Sequence, residues 1–147
     1  MKMEDFAKEL SHKLHAGQFR NDRKTPYTIH TDYVGDNVHK FYNDLSLDIA
    51  RAVGFGHDIL EDCNISFDEL VNIGHKEYGS DWVWVCDNIY VLSRFNKESP
   101  ILDYLIRIKA CDITKAVKLA DLEHNLSDLG PGNLRDKYHL CKNFLEN

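Results

Sequence analysis

Along most of this chain apolar residues recur every three to four positions, with polar residues between them, which is the period of α-helices rather than strands. Phe6, Leu10 and Leu14 mark one face of an amphipathic helix from Glu4 to His15, and Gly17 ends it. The polar stretch from Gln18 to Thr28, rich in Arg and Lys and interrupted by Pro26, reads as a loop. A second helix is expected from Asp32 to Asn43 and a third from Leu47 to Asp62. Ser66-Phe67-Asp68-Glu69 has the form of a capping box, with serine at the N-cap and glutamate three residues on, opening a short helix. Trp82, Val83, Cys86, Ile89, Tyr90 and Ser93 trace one face of the next element. Its β-branched and aromatic content admits a strand, but the period is nearer 3.6 than 2 and favours a helix. Pro100 opens Ile101 to Ile108, where Leu102, Leu105, Ile106 and Ile108 are expected to form a buried face. Ile113, Ala116, Val117 and Ala120 give helical spacing to Asp112–Leu126, and Gly130-Pro131-Gly132 precedes a last helix from about Leu134 to Leu145. With no repeat, linker or low-complexity tract, residues 1–147 are expected to form a single compact all-α bundle.

Composition narrows the setting. A length of 147 residues with 43% hydrophobic content suits one soluble domain with its own core. No apolar run approaches the roughly 20 residues of a membrane span, so no membrane partner is expected. The N-terminal Met1-Lys2-Met3-Glu4-Asp5 lacks the apolar stretch of a signal peptide, and a cytoplasmic location is the expectation. Cys63, Cys86, Cys111 and Cys141 are far apart without a CxxC pair and are read as reduced thiols. The formal net charge of −6 argues against nucleic acid as a partner. It leaves room for a small anionic ligand, because a bound cation and a few basic residues reverse the local potential.

Chemistry concentrates at His57-Asp58-Ile59-Leu60-Glu61-Asp62. If the segment is helical, His57 and Glu61 share one face and Asp58 and Asp62 the next. Four ionisable groups following the nearly uncharged Ala50–Gly56 stretch call for a metal or a substrate to satisfy them. A metal needs further ligands from distant segments, and two places stand out. One is His30, just after the turn stiffened by Pro26; the other is Asp121, at the end of an apolar helical face. His30, His57, Asp58 and Asp121 together would form a two-His, two-carboxylate site suited to Mn²⁺, with Fe²⁺, Zn²⁺ and Co²⁺ also compatible.

The order His30…His57-Asp58…Asp121 resembles the H…HD…D signature of HD-domain metal-dependent phosphohydrolases. The flanking residues resemble the hydrolase domain of the RelA/SpoT alarmone enzymes, especially its free-standing small alarmone hydrolase form. Gln18-Phe19-Arg20 with Pro26-Tyr27-Thr28-Ile29-His30 resembles the family's Gln-x-Arg…Pro-Tyr-x-x-His segment. His57–Asp62 matches HDxxED, and Lys118-Leu119-Ala120-Asp121-Leu122-Glu123-His124-Asn125-Leu126 resembles Lys-Leu-Ala-Asp-Arg-x-x-Asn-Leu. The likeness runs from about residue 5 to 145.

The resemblance implies an HD-type helical bundle that removes the 3′-pyrophosphate from guanosine tetraphosphate or pentaphosphate with Mn²⁺. It implies His30, His57, Asp58 and Asp121 as metal ligands, and Glu61 and Asp62 as the pair handling the attacking water. It further implies Arg20 at the purine, Asn125 at the ribose and Tyr27 beside the site. Arg23 or Lys24 is the candidate to supply charge that the family carries directly after the arginine, where this chain has Asn21. Together with Leu122 in place of an arginine, Cys63 in place of a threonine and a shortened loop before Pro26, that change touches substrate recognition more than metal chemistry. Two other readings keep the fold. In one, the same site acts on another nucleotide, such as an adenosine alarmone, a nicotinamide dinucleotide phosphate or another nucleoside phosphate. In the other, the chain is a non-catalytic module binding a nucleotide or a partner. His12 with His15, and His124 beside Asp121, have no carboxylate cluster with them and are not read as a second metal site, and Trp82, Trp84 and Tyr90 are read as packing residues.

Overall fold

The computed structural model describes residues 1–147 and is built from helices alone, joined by turns and one isolated bridge between Phe19 and Pro26. In chain order they are α1 (Met3–Leu14), α2 (Thr28–Asn37), α3 (Leu47–Gly56), α4 (Ile59–Asp62), α5 (Phe67–Leu92), α6 (Ile101–Lys109), α7 (Asp112–Ser127) and α8 (Asn133–Glu146), with a 3₁₀ turn at Val38–Lys40 after α2.

α3 and α7 are the inner helices. Ile49, Ala50 and every residue from Ala52 to Gly56 are buried, as α1, α2, α5 and α7 all pack on α3. A helix enclosed on most sides needs an apolar surface nearly all round, which explains why this stretch carries so little charge. Small residues let α2 and α3 come close. A Cβ on Gly54 would stand 2.9 Å from the Cα of Gly35, and one on Gly35 would enter the Phe55 ring. This crossing brings the start of α2, with His30, alongside the end of α3, with His57.

The capping box at Ser66 and Glu69 forms in both directions. The short helix it opens and the next one, which carries Trp82 to Leu92, are both present as expected: α5 is two helices meeting at a kink at Gly79, whose φ of 60° and ψ of −140° are non-helical and open to glycine at little cost. The strand alternative for Trp82–Val91 is not realised: the segment is helical, with Trp82 buried and its indole N–H donated to the Leu70 carbonyl.

Three boundaries differ from the pattern-based expectation. α2 starts at Thr28 rather than Asp32, because the turn at Pro26 and Tyr27 leads straight into helical hydrogen bonding. It stops at Asn37, whose side-chain amide donates to the Tyr33 carbonyl and competes for the helix's own acceptor. The third helix is not continuous to Asp62. The His57 imidazole Nδ1 meets the Gly54 carbonyl at 2.7 Å, the chain turns through His57 and Asp58, and α4 is a separate single turn. Finally, Leu102 and Ile106 of α6 are about half exposed, whereas Tyr104, Leu105 and Ile108 are buried. The Tyr104 hydroxyl donates to the Leu92 carbonyl and turns that side of the helix inward. No helix is long and apolar enough to cross a membrane.

Candidate metal centre and its cavity

Four elements converge on one point. α2 supplies His30, the end of α3 supplies His57, the turn into α4 supplies Asp58, and α7 supplies Asp121. His30 Nε2 lies 2.9 Å from Asp121 Oδ1 and 3.7 Å from Asp58 Oδ2. His57 Nε2 lies 3.0 Å from Asp58 Oδ2 and 3.5 Å from Asp121 Oδ1. The ligand atoms of His30, His57 and Asp58 all lie within 4.8 Å of one another, and Asp121 approaches this triad through the two histidines. Bonds of about 2.1 Å to one ion, at mutual angles of about 90° to 110°, separate ligand atoms by about 3.0 to 3.4 Å, so these spacings fit a single divalent cation. His57 Nε2 is buried without a satisfied hydrogen bond, a donor atom in need of a partner. Two imidazoles and two carboxylates are a borderline nitrogen and oxygen set, suited to a divalent transition metal.

Each of these side chains is held from behind. The Gly54 carbonyl takes His57 Nδ1, which leaves Nε2 for a ligand role. The Tyr27 hydroxyl donates to Asp58 Oδ2 at 2.7 Å. Burial, reinforced by the Asp58 charge, raises the Tyr27 pKa, so its hydroxyl stays a donor. Asp121 accepts from Asn125 at 3.1 Å on one oxygen and from Lys118 at 2.9 Å on the other. Burial alone would push both carboxyls up. Instead the Lys118 ammonium with the imidazoles holds Asp121 well below the ordinary carboxylate range, and His57 chiefly does the same for Asp58. His30 Nδ1 meets His124 Nδ1 at 2.7 Å. Burial and the neighbouring His30 and Arg20 push the His124 pKa down to about 4.

A cavity of about 330 Å³ opens beside the cluster, with His57, Asp58, Glu61 and Asp121 in one wall. Arg94, Lys97, Lys118 and Lys137 place cationic groups around the rest, and Tyr104, Leu122 and Tyr138 add less polar surface. Such a space accepts a small anionic molecule with an apolar part. Arg94, Lys97, Lys137 and Tyr138 were not singled out from the sequence. They sit in the α5–α6 connection and on α8, where a lone basic or aromatic residue carries no periodic signal.

The remaining expected residues divide. Glu61 reaches the cavity, but both oxygens are engaged: one accepts from the Arg94 backbone N–H and the other pairs with Lys97 Nζ, each at 2.7 Å. Because the chain turns at Asp58, Glu61 shares a cavity with His57 and not one continuous helical face. Asp62 is exposed and lies outside the cavity wall; partial desolvation of its carboxyl, with the adjacent Asp58 and Glu61 charges, pushes its pKa up to about 6. Tyr27 and Asn125 line the cavity while orienting Asp58 and Asp121. Arg20 donates to Asn125 and approaches Asp128 at 3.5 Å, and does not line the cavity. Lys24 is exposed and also lies outside the cavity wall. His15 is buried beside Tyr27, with ring centroids 5.2 Å apart, and His12 pairs with Asp32 at the surface, so neither forms a second metal cluster. Of the aromatic residues expected to pack, Trp82 is buried and Tyr90, though about half exposed, packs against Phe67 and Phe95, while Trp84 is exposed.

No family model matches the chain. It is 33% identical over 136 residues to the guanosine-3′,5′-bis(diphosphate) 3′-pyrophosphohydrolase of Borreliella burgdorferi, an alignment that takes in 89% of this chain and 20% of that protein. The chain therefore spans about a fifth of the length of that curated relative. A solved structure described as a metazoan ortholog of SpoT that hydrolyzes ppGpp and plays a role in starvation responses matches 99% of this chain and 84% of its own, with a TM-score of 0.73 at 21% identity. That likeness establishes the fold. The chain thus carries an HD-domain-like cluster of His30, His57 and Asp58 within the fold of that SpoT ortholog, and is similar in sequence to part of a guanosine-3′,5′-bis(diphosphate) 3′-pyrophosphohydrolase.

Proposed function

We propose that this protein is a Mn²⁺-dependent phosphohydrolase that removes the 3′-pyrophosphate from guanosine tetraphosphate or pentaphosphate. The observation that carries this reading is a buried two-His, two-carboxylate cluster set in the wall of a cation-lined cavity. The sequence relationship to a guanosine-3′,5′-bis(diphosphate) 3′-pyrophosphohydrolase supports the substrate class.

In this reading His30, His57, Asp58 and Asp121 hold the ion. A divalent ion there lowers the pKa of bound water from about 15.7, towards about 7 in the Zn²⁺ case, and offsets charge on phosphoryl oxygens. Tyr27, Asn125 and Lys118 keep the two carboxylates aimed and ionised. Glu61, in the cavity wall, takes the proton of the attacking water, and Asp62 helps to position that water. Arg94, Lys97 and Lys137 draw the polyphosphate in and fix its orientation.

A second reading keeps the reaction and changes the base. It is favoured by the placement of Arg20, which is engaged with Asn125 and Asp128, and of Lys24, which is exposed; neither is positioned to read a purine in the cavity. A panel of nucleotides incubated with the protein and Mn²⁺, with products identified, separates the two. Release of pyrophosphate and GDP from guanosine tetraphosphate, well above other substrates, is the expected result. A clear preference for an adenosine alarmone or a nicotinamide dinucleotide phosphate would replace the first reading by the second, and no hydrolysis of any nucleotide by metal-loaded protein would leave a binding module.

A further inference from the structure

His124 lies outside the metal cluster, yet its ring is fixed against one of the ligands. The Nδ1 atoms of His30 and His124 are 2.7 Å apart. The ring centroids are 5.0 Å apart with planes 27° from parallel, so the centroid spacing exceeds the N···N contact by just two ring radii. The two nitrogens therefore meet head-on, nearly in the plane of both rings, as a linear hydrogen bond requires. Tyr33 stacks on His124, with ring centroids 4.5 Å apart, and its hydroxyl donates to Glu123. His124 cannot rotate away without losing that stack.

A contact of this length between two imidazole nitrogens accommodates one proton. For His30 to offer the Nε2 lone pair to a cation, its own proton must reside on Nδ1. That proton then needs an acceptor directly ahead, and the only nitrogen placed there is His124 Nδ1. His124 must accordingly be neutral with its proton on Nε2. We infer that His124 is a positioning residue for the metal centre: it accepts the Nδ1 proton of His30, fixes that histidine in the tautomer whose Nε2 faces Asp58 and Asp121, and so sets metal affinity. His57 has the same arrangement with a backbone carbonyl, Gly54, as acceptor. The two histidines of the site are thus oriented by different means, one through the main chain and one through a replaceable side chain.

The inference rests on the metal reading of the site, and its test separates the two. Mn²⁺ dissociation constants are measured by chelator competition for the wild type, H124F and H124N. Phenylalanine keeps a ring against Tyr33 but has no acceptor; asparagine keeps an acceptor near the position of Nδ1. Loss of an outer hydrogen-bond partner typically weakens metal binding about 10- to 100-fold, and that is expected for H124F, with H124N restored to within a few-fold of wild type. In parallel, ¹⁵N spectra of Zn²⁺-loaded wild type should show His30 protonated at Nδ1 and His124 protonated at Nε2. Equal affinity in wild type and H124F, or a His30 bound to Zn²⁺ through Nδ1, overturns the inference while leaving the metal site standing. A wild type that binds neither ion overturns both. Should H124F fail to fold, the wild-type spectra decide alone.

Discussion

The His and Asp cluster and the cationic residues adjoin one cavity, but they are held in different ways. Every cluster residue is held by a second group from a helix or turn: Gly54 for His57, Tyr27 for Asp58, Asn125 and Lys118 for Asp121, His124 for His30. The wall is assembled from long side chains on the α5–α6 connection and α8, with Lys97 and Lys137 exposed. In the proposed reading preorganisation belongs to the side that holds the ion, while on the other side Arg94 is tied to the Lys97 and Ser99 carbonyls and the exposed Lys137 has room to adapt to a ligand.

The largest break in that comparison is expected on the rigid side. His57→Ala removes a ligand and should abolish metal retention and turnover together, exceeding the about 10- to 100-fold typical of losing an outer partner. Metal content and phosphate release on the same preparation check it. Next, Glu61→Gln should leave Mn²⁺ affinity unchanged and slow turnover by about 10² to 10⁴, the usual worth of proton transfer by a positioned side chain. Lys137→Met, on the adaptable side, should raise KM roughly tenfold, corresponding to about 1.5 kcal/mol for a hydrogen bond to a charged group, with metal affinity and kcat little changed. A kcat effect larger than its KM effect would erase the distinction between the two walls.

Two further effects are smaller or indirect. Gly54→Ala forces a methyl group against the Gly35 backbone, and overpacking of this kind destabilises by about 1 to 3 kcal/mol. In a domain of this size that lowers Tm by several degrees, readable in a thermal melt. Metal affinity should fall in the same variant, since this crossing sets His30 beside His57. The smallest effect concerns Asp62. Its folded-state pKa, raised to about 6, means that the folded protein holds this proton more tightly than the unfolded chain does. This group's contribution therefore disfavours folding progressively as pH rises from about 4 to about 6, and the penalty persists at neutral pH. Asp62→Asn should raise stability slightly at pH 7 and flatten that segment of the stability curve. If Asp62 also takes the water's proton, the same variant loses activity while gaining stability, and kcat/KM of the wild type falls as pH drops below about 6.

Much of the rigid side was legible in the residue pattern because its chemistry is dense. His57 and Asp58 are adjacent, Glu61 and Asp62 follow, and four ionisable groups after a nearly uncharged helix point to a ligand. The turn at Asp58 was not legible. Periodicity continues through it, and only the His57 side chain taking the Gly54 carbonyl ends α3 there. The bond between His30 and His124 joins residues 94 positions apart, and local spacing has no access to such a pair. The α6 face was misjudged for a related reason: Leu102 and Ile106 have the right period, but the neighbouring helices cover the side that carries Tyr104, Leu105 and Ile108. The adaptable wall was the least legible part. Lys97 and Lys137 are lysines in polar surroundings, and only the fold gives them a common cavity with Asp58.

The central claim is that His30, His57, Asp58 and Asp121 hold a divalent ion that the hydrolysis depends on. Its most direct test measures bound metal and guanosine tetraphosphate hydrolysis, on one preparation each of wild type and Asp58→Asn, purified without chelator and supplied with Mn²⁺. Retained metal and pyrophosphate release by the wild type, with both lost in Asp58→Asn, is the predicted result. Hydrolysis by Asp58→Asn at the wild-type rate, or by wild-type protein stripped of metal, would contradict it.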